Sequence, residues 1–111
     1  MTARATLARD SAGGAELVIF RCPGCDDNHR ISVGTWTFNG DLERPTFSPS
    51  VLVSGVQWDE GSGFRKPSHA GVAPGAPIVC HSYVTDGRIQ FLGDCTHVLA
   101  GQTVDLPEWS A

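Results

Sequence analysis

No stretch of this sequence approaches the ~20 consecutive apolar residues that a membrane-spanning helix requires, which excludes a helical span. Positive charge is scarce as well. Eight Lys and Arg stand against twelve Asp and Glu, for a net charge of −4. That balance leaves no broad basic surface and argues against a nucleic-acid partner. No internal repeat and no long amphipathic helical pattern is present. The residues before Gly14 carry Arg4 and Arg9 with no apolar run between them, so they do not read as a secretory signal, and a reducing cytosol is the expected compartment. Two nucleotide and hydrolase signatures are missing: a phosphate-cradling glycine loop and a Gly-x-Ser-x-Gly elbow. Ser48 and Ser50, in Pro-Thr-Phe-Ser-Pro-Ser, are accordingly read as turn-capping residues and not as nucleophiles.

What is abundant is glycine (13) and proline (7), which favours short strands joined by turns. Residues 1–14 read as a flexible N-terminal segment with room for one short strand. Residues 15–111 read as a single β domain. Glu16 to Arg21 is a short apolar run suited to a buried strand. Arg30 to Phe38 alternates, with Gly34 as a bulge or break. Asn39-Gly40 is a turn signal. Glu43 to Ser50 is stiffened by Pro45 and Pro49. Val51 to Trp58 is a further strand with a bulge expected at Gly55. Residues 59–77 read as a long contact loop. The clearest element runs from Pro77 to Leu99: two alternating runs around Asp86-Gly87 predict a hairpin. Pairing Thr85 with Arg88 puts Cys80, Ser82, Val84, Ile89, Phe91, Gly93 and Cys95 on one face. His81, Tyr83, Gln90, Leu92 and Asp94 fall on the other. A last short strand is expected within Thr103 to Leu106. The fold class is mostly β: a small antiparallel sheet or barrel-like domain with a zinc knuckle.

The knuckle rests on four cysteines. Cys22 and Cys25 form Cys-Pro-Gly-Cys, Cys80 precedes His81, and Cys95 lies two residues before His97. A Cys-x-x-Cys with a distant Cys/His pair is the pattern of a zinc site, and soft thiolates favour zinc over magnesium or calcium. In a reducing compartment metal binding outranks disulfides. The hairpin register makes Cys80 and Cys95 diagonal neighbours, which allows a Cys22, Cys25, Cys80, Cys95 site. His97 is the alternate to Cys95. On a regular strand it would sit roughly 13 Å from Cys80, but a bulge at Gly93 or a turn after Asp94 brings it in. His29 is either a ligand, a base or a polar turn residue. His81 and Asp94 share the face away from the metal, as surface groups or as a proton-handling pair. His69 reads as a surface residue. No catalytic residue is assigned at this level.

The runs FRCPGCDDNH, WTFNGDLERPTFSPSVL, CHSYVTDGRIQFLGDCTH and LAGQTVDLPEW closely resemble a family of small uncharacterised proteins of tailed phages and prophages. The resemblance covers about residues 18–109. Members often carry the label ammonia monooxygenase, which this chain does not support, being too small and lacking copper-oxygenase ligands. The family pattern falls on Cys22, Cys25, His29, Pro45, Pro49, Cys80, His81, Asp94 and His97. Relatives accept Ser at position 95, which favours His97 as the fourth ligand. The resemblance implies a phage or prophage context and brings no established reaction. With the small size, the lack of an open catalytic constellation and two contact surfaces in the 59–77 loop and the rigid 44–50 segment, the expectation is a zinc-stabilised protein acting by protein–protein binding, in the virion or on a host factor. It would reside in the host bacterial cytoplasm or the particle, with self-assembly compatible. Trp58 or Trp109 would anchor such an interface. The alternative is a zinc hydrolase using metal-bound water, with His29, His81 or Asp94 as acid and base.

Overall fold

Short runs rich in β-branched and aromatic residues build the main strands of this domain, and the alternation of burial is clearest in β8, which reads exposed, buried, exposed, buried. The computed structural model describes residues 3–9, 14, 16–57, 69 and 72–109. Nine strands occur among these residues: β1 (Ala5–Arg9), β2 (Glu16–Cys22), β3 (Asp27–Ser32), β4 (Thr37–Phe38), β5 (Phe47–Ser48), β6 (Val51–Val56), β7 (Pro77–Thr85), β8 (Arg88–Phe91) and β9 (Thr103–Asp105). The fold is mostly β, with no helix among the described residues. Among the described residues no helix is therefore long and apolar enough to cross a membrane.

The strands form three antiparallel sheets, ordered β1-β2-β3, β4-β5 and β6-β7-β8-β9. The N-terminal segment contributes β1, which pairs along β2 from Ala5↔Phe20 to Arg9↔Glu16. Inward side chains of the sheets meet in one core: Val18, Phe20, Ile31, Phe47, Val51, Val84, Ile89, Phe91 and Leu106. Phe20 and Phe91 are almost fully buried, each worth about 1.5–3 kcal/mol relative to exposure.

Several local expectations are met and others are displaced. The Asp86-Gly87 hairpin has Thr85↔Arg88, Val84↔Ile89 and Ser82↔Phe91 pairs, with both turn residues at positive φ. The run from Arg30 to Phe38 breaks as foreseen near Gly34 (φ 111°). Asn39 does not make a two-residue turn. Its side-chain oxygen accepts from the Asp41 and Thr46 amides, which holds a longer loop between β4 and β5. Gly55 is no bulge, because the β6–β7 register runs unbroken through Gly55↔Ile78. Most of the expected 59–77 contact loop, and Trp58, lie outside the described residues.

The decisive departure comes after β8. The strand stops at Phe91, and the Cys95 amide folds back onto the Leu92 carbonyl at 3.2 Å. This turn ends the regular ladder that would have aligned Cys95 with Cys80. It throws Asp94 to one side of β7 and His97 to the other.

Candidate active site and metal cluster

β7 carries two kinds of chemistry on its two faces. Cys80 and His81 are adjacent, so alternation sends the Cys80 thiol inward and the His81 ring outward. Cys80 is 2% exposed.

On the inner side, Cys22, Cys25, Cys80 and His97 bring one donor atom each to within 4.8 Å of one another, all four buried. Cys22 ends β2, and the Pro23-Gly24 turn returns the chain so that the Cys25 amide donates to Cys22 Sγ (3.4 Å). Cys80 arrives from β7 with its sulfur 3.7 Å from that of Cys22. The turn after β8 delivers His97. Its Nδ1 accepts the Leu99 amide at 3.2 Å, which puts the proton of the neutral ring on Nε2; ligation through Nε2 would move that proton to Nδ1 and give up the Leu99 contact. That buried Nε2 has no hydrogen-bond partner among the described residues, as expected of an atom placed to ligate. Gly24 is required here, because a Cβ on it would run into the His97 ring. These four residues can hold a metal ion.

The electrostatics agree. Cys25 first, and then Cys80, hydrogen-bond Cys22 and hold its thiol far below the usual range. The Cys22 partner in turn pushes Cys25 up to about 12 and Cys80 further up. Packed this closely, the three thiols favour holding a single negative charge among them. Burial lowers the pKa of His97, favouring the neutral ring that a metal ligand must be.

Cys95 is not in this group. Its thiol lies against the His81 peptide, accepting from the His81 N–H and donating to the His81 carbonyl, both at 3.2 Å. The expected four-thiolate set is therefore corrected: with β8 ended, Cys95 fills in for the missing strand partner of His81. His69, expected at the surface, is 1% exposed, and its Nε2 lies 3.1 Å from Cys25 Sγ. Its Nδ1 is hydrogen-bonded to Thr96 Oγ1. Burial, then the neighbouring His97, lower its pKa. His29 is buried edge-on against Phe20 and outside the four-donor group.

On the outer side, the register Leu52↔His81 places Ser50 two residues along the same face and diagonal to the imidazole. Ser50 Oγ is 2.9 Å from His81 Nε2. His81 Nδ1 is 3.2 Å from Asp94 Oδ2. A carboxylate can only accept, so the Nδ1 proton faces Asp94 and Nε2 is left to accept the Ser50 hydroxyl proton. The expectation that Ser50 merely caps a turn is corrected by this contact. The signal was the outward pair His81 and Asp94. What was missing was the β6–β7 register, which no short turn specifies.

Ser50, His81 and Asp94 stand in line, in the hydrogen-bonded order of a serine-hydrolase triad, in a mostly β domain beside a Cys/His cluster. The chain belongs to the family described as bacterial ubiquitination-like system serine protease (BubE), whose model matches residues 2–92. The match includes Ser50, His81 and three of the four cluster residues, and it ends just short of Asp94 and His97. No curated protein and no solved structure matches the chain. The family overturns the expected phage protein acting by binding, since it is a bacterial system component and a protease. It overturns the metal-water hydrolase equally, since the named chemistry is that of a serine.

Proposed function

We propose that this chain is a serine protease in which Ser50 is the nucleophile, His81 the general base and acid, and Asp94 the group that orients His81. The 2.9 Å contact between Ser50 Oγ and His81 Nε2 carries the proposal. A serine hydroxyl is a weak nucleophile until an adjacent base takes its proton. In the first half-reaction Ser50 Oγ bonds to the substrate carbonyl carbon as its proton passes to His81 Nε2. That proton then goes to the leaving amine as the scissile C–N bond breaks, which leaves an acyl ester on Ser50. Water, deprotonated by His81, cleaves the ester and restores the hydroxyl. Asp94 holds the ring through Nδ1 and stabilises the imidazolium as it forms. Membership of this family supports a protein substrate belonging to a ubiquitination-like system.

The Cys22, Cys25, Cys80 and His97 cluster fits zinc. A tetrahedron with metal–sulfur bonds of about 2.3 Å has sulfur–sulfur edges of about 3.8 Å, and the Cys22–Cys80 separation is 3.7 Å. Three thiolates and an imidazole complete four-coordination, the closed pattern of a structural site. Such an ion supplies folding free energy. Held by these residues, it would tie the β2–β3 turn to β7 and to the loop that presents Asp94, and so would help keep His81 and Asp94 where they are.

The test is reaction with a fluorophosphonate, which phosphonylates activated serines, followed by peptide mapping. The adduct should fall on Ser50, vanish in Ser50→Ala and slow strongly in His81→Ala. A folded parent protein that gives no adduct on Ser50 would refute the assignment.

A further inference from the structure

The residues just after the nucleophile form an open sheet edge. β6 ends the order β6-β7-β8-β9, so only one of its sides is paired among the described residues. Which of its residues face outward follows from β7. The N–H and C=O of His81 both point toward the β8 side, to Cys95 Sγ and the Leu92 amide, and Val79 does the same with Thr96. In an antiparallel ladder the groups of alternate residues point to opposite sides. Cys80 and Ser82 therefore bond β6, through their partners Val53 and Val51. The Gln57 amide continues the same parity by donating to the Ala76 carbonyl at 2.8 Å. That leaves the N–H and C=O groups of Leu52, Ser54 and Val56 directed out of the sheet, in a row starting two residues from Ser50.

Proteins usually blunt such an edge with Lys, Pro, a bulge or a covering segment. Val51–Val56 reads VLVSGV, with no charge and no proline, and its register has no bulge. Leu52 is 58% exposed and Val56 65%. Leu52 also shares the sheet face of Ser50 and His81, with exposed Tyr83 beside it. An edge with no partner among the described residues, contiguous with a nucleophile, has an evident occupant, the chain that the nucleophile must reach.

The geometry points to a substrate bound as an extended strand along the open edge of β6, paired through Leu52 and Ser54, with its scissile bond carried to Ser50. This rests on the serine-protease reading and deepens it. The substrate class is a flexible polypeptide segment or tail with apolar side chains, not a bond inside folded structure. Main-chain pairing supplies affinity, and the Leu52, Val56 and Tyr83 side chains select apolar residues.

The test uses two phosphonate probes on the full, metal-loaded chain. One is a non-peptidic fluorophosphonate. The other is an apolar tetrapeptidyl diphenyl phosphonate, made also with each amide N–H methylated in turn. Losing one hydrogen bond changes affinity by roughly 2- to 10-fold, and the added methyl also blocks approach to the edge. Methylation at alternate amides should therefore slow modification of Ser50 by at least about tenfold, with the intervening amides tolerant. Equal tolerance at every amide, with the non-peptidic probe still labelling Ser50, overturns the strand pairing and leaves the nucleophile in place. Failure of both probes overturns the nucleophile itself. Peptidyl labelling that slows as enzyme concentration rises, with a dimer in light scattering, would show a second copy on the edge and also overturn the proposal.

Discussion

Substituting Cys95 separates two accounts of the same residue. As a metal ligand it would be needed for the ion. As the thiol clasping the His81 peptide it is needed only to hold the imidazole. Cys95→Ala removes both 3.2 Å contacts. The His81 carbonyl keeps the Leu92 amide at 2.9 Å, so the group left unpaired is the His81 N–H. An unsatisfied buried donor costs about 1–3 kcal/mol. Sulfur is a weak acceptor, so the lower half of that range applies, about 1–2 kcal/mol. In a domain of this size that lowers Tm by roughly 4–15 °C. The loosened ring should also react several-fold more slowly with a fluorophosphonate. A serine hydroxyl both donates and accepts, so Cys95→Ser should recover most of the stability and rate. Both variants should keep the metal content of the parent. Metal analysis, thermal melts and labelling rates on the three proteins give the answer. Loss of metal in both variants would refute the clasp and restore Cys95 as a ligand.

Asp94→Asn should slow Ser50 acylation by about 10- to 100-fold, less than the ~10⁴ of a buried triad, because the Asp94 side chain is 55% exposed and water screens it; rates near those of Ser50→Ala would mean Asp94 does more than orient. Gly24→Ala should weaken metal binding sharply by displacing the His97 ring, as read by competition with a chromogenic chelator, whereas Pro23→Ala should leave it nearly intact. Metal removal by a strong chelator should unfold the domain and abolish labelling, both restored by zinc; labelling that survives complete metal loss would place the cluster outside the fold's support. Cys25, pushed up to about 12 by Cys22, must lose its proton to bind metal. A ligand with a raised pKa is protonated below it, so affinity should rise with pH, about tenfold per unit for each proton displaced. A pH-independent affinity would contradict that sign.

Much of the hairpin was legible because Asp86-Gly87 fixes a register by itself. A two-residue turn specifies every pair until the strand ends, which is how the opposite faces of Cys80 and His81 could be read from sequence. The same rule misled at Cys95, since nothing in Gly93-Asp94-Cys95-Thr96 states that the ladder stops at Phe91. The Cys-x-x-Cys turn was legible as a donor pair, and a turn after Asp94 was the stated condition for His97 to join it. Ser50 was not legible as the partner of His81. Its place beside His81 depends on pairing β6 with β7 across about twenty intervening residues, and a connection of that length specifies no register. His69 was hidden for the same reason, carried into the core from the segment between those strands.

The most direct measurement is an acid quench, within the first turnover, of the metal-loaded chain mixed with p-nitrophenyl acetate, followed by mass mapping. An acetyl ester on Ser50 in the parent, absent in Ser50→Ala and scarce in His81→Ala, is the predicted result. Burst-free hydrolysis at equal rates in all three proteins, with Ser50 unmodified, would contradict the account.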